Sequence, residues 1–298
     1  DTHNLTITPN GSEKINTGAG PIILSTEGEG VTLVYIDSTV GWRSIQDNVF
    51  ADPGSNFIQA TGGTITNTPT CRIHTFTGPG TFCVSTLATT PANNAVALMV
   101  VAGGGAGAGG YQSGGGGAGG FREFQTSPIT PYTASPLVCS TGVTVTTTSY
   151  PIVIGGGGTG ATSDSTKGTS GVNSSALSKT SAGGGAAGSF SSPNAPTNIG
   201  TAGGSGGGAG RVCGSISGGA GNSPSVSPAQ GSNGGATGNP YTYPFSGAGG
   251  GGATAVGSPA AGTNVGPGGA GATTSINGTP TAYAGGGGGG GYANPYPA

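Results

Sequence analysis

Glycine is gathered into nine dense tracts in the last two-thirds of this chain, among them 103–105, 114–120, 155–158, 247–252 and 285–291. A chain with 69 glycines in 298 residues has an unusual amount of backbone freedom to lose on folding. It must find an unusual source of order or stay unfolded.

Composition sharpens that choice. Leu, Ile, Val and Phe together number 47, which falls below the fraction of about 20% at which disorder is suspected. Disordered chains also carry high net charge, whereas here 5% of residues are charged and the formal net charge is -2. A chain of this kind is either a flexible low-complexity segment or a backbone-bonded structure of the collagen, silk or polyglycine type. Collagen is excluded because runs such as Gly285 to Gly291 place glycine at every position and proline does not recur in phase.

The few charges divide the chain. Nine of the charged side chains lie in the first 52 residues and none follows Arg211. With no Lys/Arg cluster to contact phosphates, nucleic acid is not an expected partner. The most apolar run, Ala95 to Ala102, is far shorter than a bilayer span, so a soluble chain without membrane insertion is expected. The chain starts at Asp1 and its one methionine is Met99, so the expectation is a processed chain or part of a longer one. Cys71, Cys83, Cys139 and Cys213 show no Cys-x-x-Cys spacing and no nearby His pair, which argues against a zinc site. Disulfides stay open. If residues 71–87 form a hairpin turning at Gly78-Pro79-Gly80, Cys71 and Cys83 are out of register for a regular bridge.

Residues 1–66 read as a small β-structured segment. Leu5 to Thr8, Pro21 to Leu24, Val31 to Ile36 and Trp42 to Ile45 are short β-prone runs separated by Gly or Asp-Ser. Their apolar side chains are few for a self-sufficient unit, so association with further copies is expected. Residues 67–298 read as a glycine-rich domain with a β-rich part, 67–154, and polyglycine tracts with loops, 155–298. The apolar run Ala95 to Ala102 and the strand Tyr150 to Ile154 each run directly into glycine, and Gly120 to Phe124 supplies a short strand between them. The expected fold class is mostly β and irregular with essentially no α-helix.

From residue 155 onward only eleven of 144 residues are Leu, Ile, Val or Phe, too few for an ordinary core. The candidate alternative is the extended helix of three residues per turn, packed side by side so that main-chain groups bond between helices. Glycine is required because a β-carbon would hold neighbouring backbones apart. A run of about seven residues would span roughly 20 Å. The intervening stretches 163–181, 189–200, 222–233 and 258–265, rich in Ser, Asn, Pro and Thr, read as end loops.

The ordered blocks Cys71 to Val84, Ala97 to Gly105, Gly114 to Glu123, Tyr150 to Gly158 and Tyr283 to Gly291 resemble the glycine-rich domain of bacteriophage tail fibres and tail-tip adhesins. Residues 1–66, with Gly30 to Asp37 and Gly41 to Arg43, look like the shaft or collar segments that precede such domains. The resemblance implies a virion appendage outside the cell, a homotrimer, and a polyglycine bundle whose variable end loops touch the host surface. It implies as partners a host cell-surface glycan or outer-membrane protein, and other virion proteins reached through an N-terminal part. Cys71 and Cys83 depart from the family pattern, which suggests an aromatic and a Thr there.

Candidate sites are weighed against plainer uses. Any polyglycine satisfies Gly-x-Gly-x-x-Gly, and no strand-turn-helix context or Gly-Lys-Ser/Thr ending supports phosphate binding. His3 and His74 lack a nucleophile or carboxylate at fixed local spacing. Glu27 and Glu29 fit a solvated turn, and Arg122-Glu123 a structural pair. No catalysis, cofactor or metal is expected. Tyr241, Tyr243, Phe245, Tyr292 and Tyr296 lie in Pro-containing loops between or after glycine tracts. They are the receptor-binding candidates, because flat rings give large contact area at low entropy cost; capping the bundle is the other reading. The functional expectation is a phage fibre or adhesin that binds a bacterial receptor. The alternatives are a purely structural fibre, such as a capsid decoration or extracellular filament, and a glycine-rich antifreeze protein, which the irregular loops disfavour.

Overall fold

The structure is a computed structural model that describes residues 5–16, 18, 20–24, 31–44, 57–68, 71–125, 132–163, 166–190, 196–211, 215–237, 246–261 and 264–291. It is built of short strands and irregular extended chain. Helix among the described residues is confined to the single 3-10 turns Pro91–Asn93 and Pro196–Asn198, and none is long and apolar enough to cross a membrane. Two compact units are present, Asp1–Asn56 and Phe57–Ala298.

In the first unit Leu5–Ile7 pairs antiparallel with Ile22–Leu24, and Leu33–Asp37 with Gly41–Ser44. Asp37 closes the second hairpin, its Oδ1 accepting the Thr39 and Val40 N–H groups at 2.7 Å. Gly41 is obligatory there: its φ is +78°, and a β-carbon would lie 2.2 Å from the Lys14 carbonyl oxygen. Tyr35 meets Trp42 edge to face at 5.3 Å. Among the described residues the buried apolar set of this unit is Ile15, Ile22 and Leu24, while Leu5, Ile23 and Ile36 are exposed.

The second unit starts before the expected boundary at 66, since Gln59–Thr61 pairs with Gly80–Thr86. Gly80–Thr86 pairs on its other side with Ser149–Ile152. The expected 71–87 hairpin does not form. Arg72–Thr75 instead turns back on Thr64–Asn67, helped by Thr68, whose Oγ1 accepts the Cys71 N–H at 2.9 Å. A hydrophobic core gathers Phe82, Val84 and Ile152 from these strands and Val100, Phe124, Val145 and Leu177 from elsewhere in the unit.

Beyond Ala102 the bulky side chains stop, and the backbone changes period without changing partner. Leu98 faces Phe124 and Val101 faces Phe121 in an antiparallel pair. The next bonds join Ala102 N–H to the Gly120 carbonyl at 3.1 Å and Gly105 N–H to that of Gly117 at 2.8 Å. One register thus runs from strand into glycine, but bonds to a given neighbour now recur every third residue.

Segment 203–211 shows the full pattern. Ser205, Gly208 and Arg211 donate to the carbonyls of Ala118, Gly115 and Gln112; Gly206 and Ala209 to Ser232 and Gly235; Gly207 and Gly210 to Thr201 and Asn198. Three residues per turn, with every bond made to another segment, is the extended polyglycine helix. Segments 113–120, 182–189, 196–201, 215–222, 230–237 and 246–253 surround this one on all sides. A β-carbon on Gly206 would lie 1.8 Å from the Gly219 carbonyl oxygen, and on Gly249 1.9 Å from that of Pro267.

Several expected loops prove shorter for the same reason. Within 163–181, segment 166–173 joins the bundle through Gly171 N–H to Gly184 and Val172 N–H to Gly156, and Ser174–Ala176 pairs with Lys179–Ser181. Within 222–233 and 258–265, Asn222, Ser232, Ser258 and Ala260 also bond into it. At the bundle's edge only the inward third of the residues must be glycine, so Val172 is exposed, while Ser170 Oγ and Asn173 Oδ1 accept the Ala186 and Gly183 N–H groups at 3.3 and 2.8 Å.

Polar pegs hold the segments lengthwise. Gln230 is fully buried; its Oε1 accepts the Ala182 N–H and its Nε2 donates to the Pro224 carbonyl, both at 2.8 Å. Ser205 Oγ donates to the Gly252 carbonyl at 3.1 Å. Ala209, Ala248 and Ala260 cluster where methyl groups fit.

Three outcomes are expected from calorimetry. Gly206→Ala should cost about 3 kcal/mol, as overpacking does. Gly156→Ala, with no atom within 4 Å of the new methyl, should be neutral or stabilising by about 0.4–1 kcal/mol through the unfolded state; equal losses would refute the close-packed interior. Gln230→Ala should cost about 2–4 kcal/mol by orphaning one N–H and one carbonyl, and a loss under about 0.5 kcal/mol, typical of a surface site, would show that the peg is idle.

Candidate functional site

The segments run alternately toward and away from the strands, so one end of the bundle carries the sheets and the other a set of chain reversals. At the reversal end the bonds form a continuous layer. Arg211 donates its N–H to the Gln112 carbonyl at 3.0 Å and its Nη1 to Gln112 Oε1 at 3.0 Å. The Arg211 guanidinium lies 5.4 Å from the centre of the Phe190 ring, and its carbonyl accepts Nδ2 of buried Asn198 at 2.8 Å. Gly290 donates to the Ser113 carbonyl at 2.8 Å, Ser246 pairs with Gly291, and Ser246 Oγ donates to the Asn264 carbonyl at 2.8 Å.

Tyr241, Tyr243, Phe245, Tyr292 and Tyr296 all lie outside the described residues. Their attachment points are described, and they belong to this layer: Thr237 bridges to Ile216 and Ala260, and Ser246 to Gly291. The two aromatic-bearing stretches therefore join the bundle side by side. Tyr111, on the reversal between 102–109 and 113–120, is 69% exposed at the same end. Sequence reasoning passed over it, although Gly-Gly-Tyr-Gln-Ser-Gly carries the same signal as the chosen loops: an aromatic between two glycine tracts.

Charge at this end is sparse. Lys167 reaches from segment 166–173 to Thr201 Oγ1, 3.3 Å away, and burial lowers its pKa from the ordinary lysine value. The arrangement offers rings and main-chain and amide hydrogen-bonding groups, the chemistry of a binding surface for neutral polar ligands such as sugars.

The other singled-out residues serve the fold. His74 places Nδ1 2.8 Å from the Gly62 carbonyl and its ring edge-on to Phe82 at 5.1 Å. Arg122 and Glu123 are not a pair, since neighbouring strand residues face opposite sides. Arg122 lies over the Phe124 ring at 5.0 Å. Glu123 is buried, its Oε2 accepting the Ser135 N–H at 2.8 Å and its Oε1 the Thr274 hydroxyl at 2.6 Å. The buried Tyr132 hydroxyl makes no hydrogen bond of normal geometry but lies near that carboxylate. Desolvation first, and the Glu123 charge second, push its pKa well above the ordinary tyrosine value. Cys71, Cys83 and Cys139 are free thiols; Cys213, His3, Glu27 and Glu29 lie outside the described residues. Among the described residues no three His, Cys, Asp or Glu side chains gather where they could hold a metal ion.

No curated protein and no solved structure matches the chain. A family model described as a glycine-rich domain matches residues 77–297, the span that holds the bundle and most of its supporting strands. The chain belongs to this family of glycine-rich domains.

Proposed function

We propose that this chain is the distal part of a bacteriophage tail fibre or related adhesin, which binds a bacterial surface glycan or outer-membrane protein without chemistry. The observation that carries this reading is the reversal end. There exposed Tyr111 and the attachment points of both aromatic-bearing stretches share one layer of hydrogen bonds at the end of the bundle. Exposed Leu5, Ile23 and Ile36 on the small first unit support its self-association, in a homotrimer on this reading. Several copies would turn weak single contacts into useful avidity.

The purified oligomer should bind saturably to cells, or to isolated lipopolysaccharide, of at least one strain in a panel of bacteria, and should compete with phage adsorption there. Tyr111→Ala should weaken that binding by about five- to thirtyfold, the loss of an aromatic anchor worth about 1–2 kcal/mol, with an unchanged melting temperature. No binding across the panel by an intact oligomer would overturn the receptor claim in favour of a purely structural fibre.

A further inference from the structure

Segment 113–120 lies deep in the bundle, yet its ring of neighbours is incomplete. Gly114, Gly117 and Gly120 donate to segment 182–189, and Gly115 and Ala118 to 246–253. Its carbonyls accept from 102–109 (Gly105 to Gly117), from 203–211 (Gly208 to Gly115) and from 284–291 (Gly287 to Gly116). The neighbours are themselves joined in sequence around it: 102–109 to 182–189, then 203–211, 246–253 and 284–291. There the ring stops, because 284–291 and 102–109 share no bond.

A three-residue helix donates in three directions, and the third is the one left open. Gly116 and Gly119 are buried, three residues apart, and among the described residues their N–H groups have no partner. β-Carbons built on Gly116 and Gly119 would lie 2.1 and 1.9 Å from the carbonyl oxygens of Gly105 and Ala102, and those two carbonyls accept no bond from a described residue either. Gly287 and Gly104 flank the gap: β-carbons there would lie 3.2 Å from Gly116 N and 3.9 Å from Gly119 N. Both residues are exposed, so the gap opens to the surface.

We propose that this gap is a binding groove for an extended proline- and glycine-rich segment of a partner protein, with proline at every third residue. The occupant must bring carbonyls to Gly116 and Gly119 and N–H groups to Ala102 and Gly105, at a three-residue period; one more extended helix does both. Flexible polyglycine is a poor occupant. Ordering it costs about 1–2 kcal/mol per residue against about 0.5–1.5 kcal/mol returned per hydrogen bond. Proline lowers that cost by pre-setting the extended helix. One N–H per turn of the occupant faces solvent, and proline, which lacks that N–H, fits there.

The test uses the full chain and a fluorescein-labelled peptide of repeated Gly-Gly-Pro. Anisotropy should show saturable binding, lost when sarcosine replaces the glycines and removes their N–H donors. Gly104→Val should weaken binding about tenfold or more, the loss of roughly two backbone bonds. The fold should tolerate it, because the nearest atom to the new β-carbon is 3.7 Å away. Gly156→Val, on a segment that does not border the groove, should bind normally. Amide exchange at Gly116 and Gly119 should be faster than at Gly115 and Gly117 in the free protein and should slow with peptide. Absence of binding, binding indifferent to Gly104→Val with the melting temperature intact, or slow exchange at Gly116 and Gly119 without peptide would each overturn the proposal.

Discussion

The second unit depends on one interaction, the main-chain hydrogen bond between neighbouring three-residue helices at a spacing that excludes a β-carbon. Each such bond is worth little alone, about 0.5–1.5 kcal/mol, and ordering glycine is costly. The structure persists because interior segments such as 203–211 donate in three directions in turn, so each fixed residue is bonded on more than one side. Density of bonding takes the place of a hydrophobic core where apolar side chains are too few.

A lattice of identical backbones has a weakness, since a glycine helix can slide by one turn and find equivalent partners. The chain resists this where side chains remain. The strand pair Leu98–Val101 and Phe121–Phe124 passes its register unbroken into 102–105 and 117–120. Gln230, Ser205 and the Ala209, Ala248 and Ala260 cluster pin later segments at single positions. The hydrophobic core at the strand end thus acts as a clamp for a bundle that could not choose its own register.

This division of labour separates scaffold from surface. Most interior positions are glycine, with alanine or serine where a small side chain fits, while the described ends of the segments are tied both by backbone bonds and by the Arg211, Asn198 and Ser246 side chains. Residues at the ends of the segments escape the lattice's exclusion of β-carbons, which is the physical reason to look for function in the loops rather than in the tracts.

Much was legible from the sequence alone. Glycine density with low charge pointed to a backbone-bonded structure, and β-branched runs located the strands at Val31 to Ile36, Ala95 to Ala102 and Tyr150 to Ile154. Strand partners were not legible: Arg72–Thr75 turned to Thr64–Asn67 instead of Gly80–Thr86, because pairing is decided by what else covers each strand. Nor were the shorter loops, the isolation of Arg122 from Glu123, Tyr111 as a surface ring, or the gap above Gly116 and Gly119. Local composition determines that a residue can enter a three-residue helix. Only the tertiary structure decides which sides of that helix are filled, because that depends on the placement of segments far apart in the chain.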